Sequence, residues 1–256
     1  MLEAENHERS SEDIQPRIKT SKDLHIAKRI ALAVTGIIGL TVISILVQLF
    51  ISAVNPGFKE IEDSTKNGIL NFIIYSVLFV ALVSIVNVDF RLFKPDFKNY
   101  KAYLFGLAFG AGVIITPIIY NIFVNLFRET TTSANEASLR SFIPTFPFAS
   151  LFILGIIGPL CEELTYRVGL FNIVKKYKWV GYLLGTFVFA FMHFNFNATG
   201  EAMVNELINL PIYAFSGFAF CLAYDKFGFA CSFTAHSINN LYSVAMVLLL
   251  NNMQIQ

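Results

Sequence analysis

Pro159-Leu160-Cys161-Glu162-Glu163-Leu164-Thr165-Tyr166-Arg167 places three ionisable side chains inside a run that is otherwise apolar from about Phe146 to Val174. At the centre of a bilayer-spanning helix each charge costs roughly 2.5 kcal/mol or more, so such groups pair with one another or face a polar cavity. Helical spacing sorts the three. Glu163 and Arg167 are i,i+4 neighbours in the favoured acid-first order. Glu162 points about 100° away at 3.6 residues per turn. One carboxylate is thus neutralised by the arginine and the other is left free. The competing reading is a structural Glu–Arg pair with a spare polar neighbour.

The rest of the composition agrees with a membrane setting. Of 256 residues 55% are hydrophobic and 14% charged, with mean hydropathy +0.60. A soluble domain carries about 25% charged residues. The chain is read as an integral membrane protein with the lipid bilayer as its surroundings and no nucleic acid as partner. Cys161, Cys221 and Cys231 lie in apolar runs without metal or disulfide spacing and read as small buried residues. A nucleophilic Cys161 is disfavoured because the adjacent acid pair opposes its thiolate.

Residues 1–29 are polar and mixed in charge, without the apolar core of a signal peptide, and read as a disordered or loosely helical cytoplasmic tail holding His7 and His25. Seven apolar stretches follow: Ile30–Val54, Gly68–Val88, Ala102–Phe127, Phe146–Val174, Trp179–Phe196, Ala202–Tyr224 and Phe229–Leu250. The expected fold is all-α, a polytopic transmembrane helix bundle of about seven spans. Residues 30–127 form an N-terminal set of helices, 128–145 an extracytoplasmic linker, and 146–256 a second bundle. Loops expected on the N-terminal side carry fourteen Lys/Arg residues against four on the other. This asymmetry puts the N-terminus in the cytoplasm of a multi-pass protein.

Other spans also hold polar groups. The fifth contains Phe189-Ala190-Phe191-Met192-His193, and the seventh His236-Ser237-Ile238-Asn239-Asn240, in which His236 and Asn240 share a helix face. A lone histidine on an apolar helix is usually a packing residue. Two of them with an acid pair, in three spans, are harder to explain that way. At about 1.5 Å rise per residue, Glu162, His193, His236 and Asn240 lie roughly 12 to 21 Å from the basic ends of their spans, within one layer of the bilayer. Glu162 suits a general base for a water. His193 can orient that water or carry its proton. His236 and Asn240 can donate hydrogen bonds to an oxyanion. The rival arrangement is a zinc held by Glu162, His193 and His236 with water in the fourth position. His-Glu-x-x-His is absent, and the residues alone do not choose.

Glu162-Glu163-x-x-x-Arg167, Phe189-x-x-x-His193 and His236-x-x-x-Asn240 resemble, in order, the three motifs of the CPBP family. This family of membrane-embedded proteases includes CAAX prenyl endopeptidases and bacterial Abi-type proteins linked to bacteriocin processing or self-immunity. The resemblance covers roughly Phe146 to Leu250. It implies endoproteolysis of a peptide precursor or membrane protein, with catalysis at Glu162, His193, His236 and Asn240 and support from Glu163 and Arg167. The family is often called metalloprotease, although its better-understood members look glutamate-dependent. The Phe/Ile/Asn/Lys-rich composition looks bacterial, so the expected location is a bacterial plasma membrane, and a prenylated substrate is disfavoured. Two other functions compete. One is a non-catalytic immunity or regulatory membrane protein. The other is a proton-coupled transporter, which the lack of internal repeats disfavours.

Overall fold

The computed structural model describes residues 18–129 and 132–254. Among them there is no strand, and six helices are long and apolar enough to cross a membrane. These are α1 (Ile26–Val54), α2 (Asp63–Leu92), α3 (Tyr100–Asn125), α5 (Pro147–Phe171), α7 (Glu201–Phe227) and α8 (Phe229–Gln254). Two shorter helices matter for the site, α4 (Ala134–Phe142) and α6 (Lys178–Met192). The polytopic helical bundle expected from the sequence is what forms.

One span differs. The fifth was expected to run to Phe196, but α6 stops at Met192. Its 15 residues cover about 22 Å, short of a hydrocarbon core of about 30 Å. The apolar run continues past the helix, so hydropathy alone could not mark this end.

α5 lies at the centre. Its N-terminal half packs against α8, while its C-terminal half packs against α1 and α6. Small residues let the backbones approach. A Cβ on Gly169 would come within 2.8 Å of the Ala33 nitrogen, and one on Gly106 of α3 within 2.7 Å of Thr234 Cβ on α8. The largest apolar cluster joins α1, α2 and α5, with Leu32, Leu82 and Val168 fully enclosed.

The two ends of the bundle are chemically distinct. One is basic. There Lys28 pairs with Asp89 (2.5 Å) and Lys178 with Asp225 (3.0 Å). Ser21 Oγ donates to Asp96 Oδ2 (2.7 Å), and Arg29 Nη1 donates to the Asn172 carbonyl (2.8 Å). The α7–α8 turn at this end requires Gly228, whose φ is +87° and whose Cα faces the Asp96 carboxylate closely. The expectation of a loose tail up to residue 29 does not hold for residues 21–29. Leu24 is fully buried, and His25 caps α1 by accepting from the Ala27 nitrogen. His7 lies outside the described residues.

At the opposite end Arg128 pairs with Glu201. Glu206 is buried and accepts from the Ala134 nitrogen (2.7 Å) and the Asn195 nitrogen (3.1 Å). The stretch read as a polar linker therefore contains a docked helix. Ser133 caps α4, and Phe142 and Ile143 are buried beneath it.

Candidate active site

The local form of α5 sets the site. Pro159 has no N–H, so the i→i−4 ladder is interrupted there. On either side, Ile153–Ile157 and Glu163–Phe171 adopt the wider π-helical turn, and the regular turn Gly158–Glu162 lies between them. Such widenings recur at functional sites. Asn240 of α8 answers this loosened backbone directly, its Nδ2 donating to the Leu154 carbonyl at 3.0 Å.

Glu163 and Arg167 pair as their spacing predicts. Arg167 Nε stands 3.4 Å from Glu163 Oε2, and both side chains are fully enclosed. The guanidinium also lies 4.8 Å from the Phe189 ring centroid and 5.3 Å from that of Phe220, and Nη2 donates to the Gly217 carbonyl (3.3 Å). Aromatic faces and a carbonyl thus replace water around a buried cation.

Glu162, by contrast, borders two cavities, one of about 490 Å³ against α1 and α2, the other of about 460 Å³ among α3, α4, α7 and α8. His193 and Tyr75 border both. Glu162 Oε2 is 3.7 Å from His236 Nε2 and 4.0 Å from His193 Nε2. The Tyr75 hydroxyl donates to Oε1 at 3.4 Å. Asn240 lines the second cavity with Glu162 and both histidines. All the residues singled out from the sequence are brought together, as are the supporting Glu163 and Arg167.

The hydrogen bonds fix how the histidines present themselves. His193 Nδ1 is 2.8 Å from the Phe189 carbonyl, which can only accept, so Nδ1 carries a hydrogen. His236 Nδ1 is 2.9 Å from Glu163 Oε1, and the carboxylate paired with Arg167 likewise accepts. In their neutral forms both rings therefore turn a bare Nε2 towards Glu162. The rings are held flat, His193 on Tyr213 (centroids 4.8 Å, 21°) and His236 on Phe220 (4.4 Å, 16°). Three acceptors converge on one point, which suits a species that brings hydrogens to it, such as a water.

The donor set is also of the kind zinc takes, with each imidazole anchored through its other nitrogen. The spacing fits less well. Tetrahedral bonds of about 2.0 to 2.1 Å set neighbouring ligand atoms roughly 3.3 Å apart, against the 3.7 and 4.0 Å found here. Among the described residues no group of three His, Cys, Asp or Glu is arranged to hold a metal ion. As arranged, the site does not fit zinc.

Two partners escaped the sequence reading. Tyr75 is a lone tyrosine in the apolar run of α2 and carried no signal. The Glu163–His236 bond joins residues 73 apart in the chain; only the shared depth of the two hinted at it.

Residues 144–242 match a family described as type II CAAX prenyl endopeptidase Rce1-like. The UPF0177 protein YvdC of Lactococcus lactis is 23% identical over 189 residues, covering 73% of this chain and 69% of that protein. The membrane-embedded CAAX protease MroQ of Staphylococcus aureus is 26% identical over 165 residues, covering 58% of this chain and 62% of MroQ. An uncharacterized Mycoplasma capricolum protein is 24% identical over 209 residues, with 75% of this chain and 59% of that protein aligned. The chain thus spans about three fifths of the length of two of these relatives. No solved structure matches it. The three motifs in order on a helical membrane bundle, with these similarities over residues 144–242, support likeness to the CPBP family of intramembrane proteases.

Proposed function

We propose that the chain is an endopeptidase that cuts a peptide precursor or membrane-associated protein by water attack at Glu162, His193, His236 and Asn240. The observation that carries this reading is the convergence of two bare Nε2 atoms on Glu162 Oε2.

The step balances as follows. Glu162 takes a proton from water as the water oxygen bonds to the scissile carbonyl carbon. The carbonyl π electrons move onto oxygen. The oxyanion accepts a hydrogen bond from the remaining Asn240 N–H, and one from His236 while the proton taken by Glu162 rests on its Nε2. The C–N bond then breaks, and that same proton returns to Glu162 and passes, directly or through His193, to the departing amine. Glu163 holds His236 in the required tautomer, and Arg167 pairs with Glu163. Tyr75 is a positioning residue that orients Glu162.

The protein resides in this reading in a bacterial plasma membrane with its N-terminus in the cytoplasm. The test compares cells carrying the wild type or Glu162→Gln at equal abundance, by sequencing the new N-termini in their membrane and secreted fractions. Cleavage products present only with the wild type support proteolysis. Identical N-termini would instead favour a non-catalytic immunity or regulatory role.

A further inference from the structure

The two ends of the bundle give the site a direction. The basic end gathers residues 21–29, the 87–98 turns, the 172–178 loop and the α7–α8 turn, through the contacts of Lys22, Lys28, Arg29 and Lys178. None of these residues borders either cavity. Gly36, Thr165, Tyr166, Phe220 and His236 form the deep floor of the cavities, and the rest of the lining comes mostly from the opposite halves of the helices. Asn121 lies near the C-terminal end of α3, Asn209 in the first third of α7, Asn135 at the start of α4, and Leu250 near the end of α8. Ser44 and Gln48 come from the far half of α1, and Asn67 and Asn71 from the start of α2. The short helix α6 delivers His193 to the same region, because it stops at Met192 below that end.

The lining also has a chemistry. Asn71, Asn121, Asn135, Asn209 and Asn239 border the second cavity. Its charged pair at the mouth, Glu136 and Arg140, is mutually neutralised. Carboxamides both donate and accept, which matches the main chain of an extended polypeptide and not a charged small molecule.

Resting on the proteolytic reading for its consequence, we propose that an extended polypeptide segment reaches Glu162 from the extracytoplasmic side of the membrane. Positive charge stays cytoplasmic, and the cavities extend away from it towards the end that carries α4. A translocation or membrane-insertion step must therefore precede cleavage and place the scissile bond outside. Cytoplasmic peptides are not substrates until exported.

Single-cysteine accessibility tests this on the full chain in intact cells. The three native cysteines are fully buried and give a low background. Ala137→Cys reports the end carrying α4, Ser243→Cys the cavity wall, and Lys176→Cys the basic end; all three positions are exposed. A membrane-impermeant maleimide should label Ala137→Cys and Ser243→Cys in intact cells, and Lys176→Cys only after permeabilisation. Labelling after SDS denaturation verifies that each variant is present, and Ser138→Cys replaces Ala137→Cys if that variant fails to insert. The reverse pattern, equal labelling from both sides, or a Ser243→Cys that stays unlabelled would each overturn the proposal. Proteolysis is not the readout, so this outcome is separate from that of the catalytic reading.

Discussion

His236 is shared between the two adjacent glutamates, its Nδ1 lying 2.9 Å from Glu163 Oε1 and its Nε2 lying 3.7 Å from Glu162 Oε2. The imidazole thus couples a fully enclosed ion pair to a carboxylate that lines both cavities. In the proposed mechanism Glu163 acts through structure and through the tautomer of His236, whereas Glu162 is left for chemistry.

A double substitution separates these two effects of Glu163. Glu163→Ala leaves Arg167 as an uncompensated buried charge, at a cost on the order of 3 to 5 kcal/mol. Folded protein in the membrane should fall accordingly. Adding Arg167→Ala should recover part of the stability but not turnover, because His236 Nδ1 still lacks its acceptor. Melting of the detergent-solubilised proteins, read beside cleavage, distinguishes the two. Recovery of both would show that Glu163 serves only to neutralise Arg167.

Tyr75→Phe removes the hydroxyl that donates to Glu162. A hydrogen bond to a charged group is worth about 1.5 kcal/mol or somewhat more, so turnover should drop about tenfold with abundance unchanged. The KM for a peptide substrate should stay within about twofold, since the hydroxyl orients the base and does not bind substrate. A change confined to KM would instead make Tyr75 a substrate contact.

At the basic end, burial holds the Asp96 carboxyl above its ordinary range, against the opposing effect of the Ser21 hydroxyl and of Lys22. A carboxyl with a raised folded pKa favours the fold while it is protonated. Stability should therefore decline as the pH rises from the ordinary aspartate value of about 3.9 through the higher folded value. Asp96→Asn should flatten that slope. Melting temperatures between pH 4 and pH 7 check it, and an unchanged slope would mean that another group is responsible.

No step of the proposed cleavage runs through a metal. Purified protein treated with a strong chelator and passed through a desalting column should retain its cleavage activity. Loss on chelation, with recovery on adding zinc, would mean that Glu162, His193 and His236 close around an ion.

Much of the bundle was legible because long apolar runs separated by charged loops leave little alternative in lipid. The three motifs were legible for a related reason: polar groups inside such runs stand out. Tyr75 did not, because a tyrosine in an apolar helix looks the same whether it packs or donates. The early end of α6 was hidden because Phe194 and Phe196 continue the apolar run after the helix has ended. The packing of residues 21–29 was hidden because their polar composition matches that of a solvated tail. Leu24 is the single buried apolar anchor there, and Ser21 and Arg29 bond to Asp96 and Asn172, residues remote in the chain. The π-helical turns around Pro159 follow from an interrupted ladder, but the sequence gives no sign of how far the widening extends.

The division of labour between Glu162 and Glu163 is tested most directly by measuring thermal stability and cleavage together for Glu162→Gln and Glu163→Ala. The account predicts that Glu162→Gln melts near the wild-type temperature and cuts nothing, while Glu163→Ala loses both stability and activity. Equal stability losses for the two variants, or residual wild-type cleavage by Glu162→Gln, would contradict it.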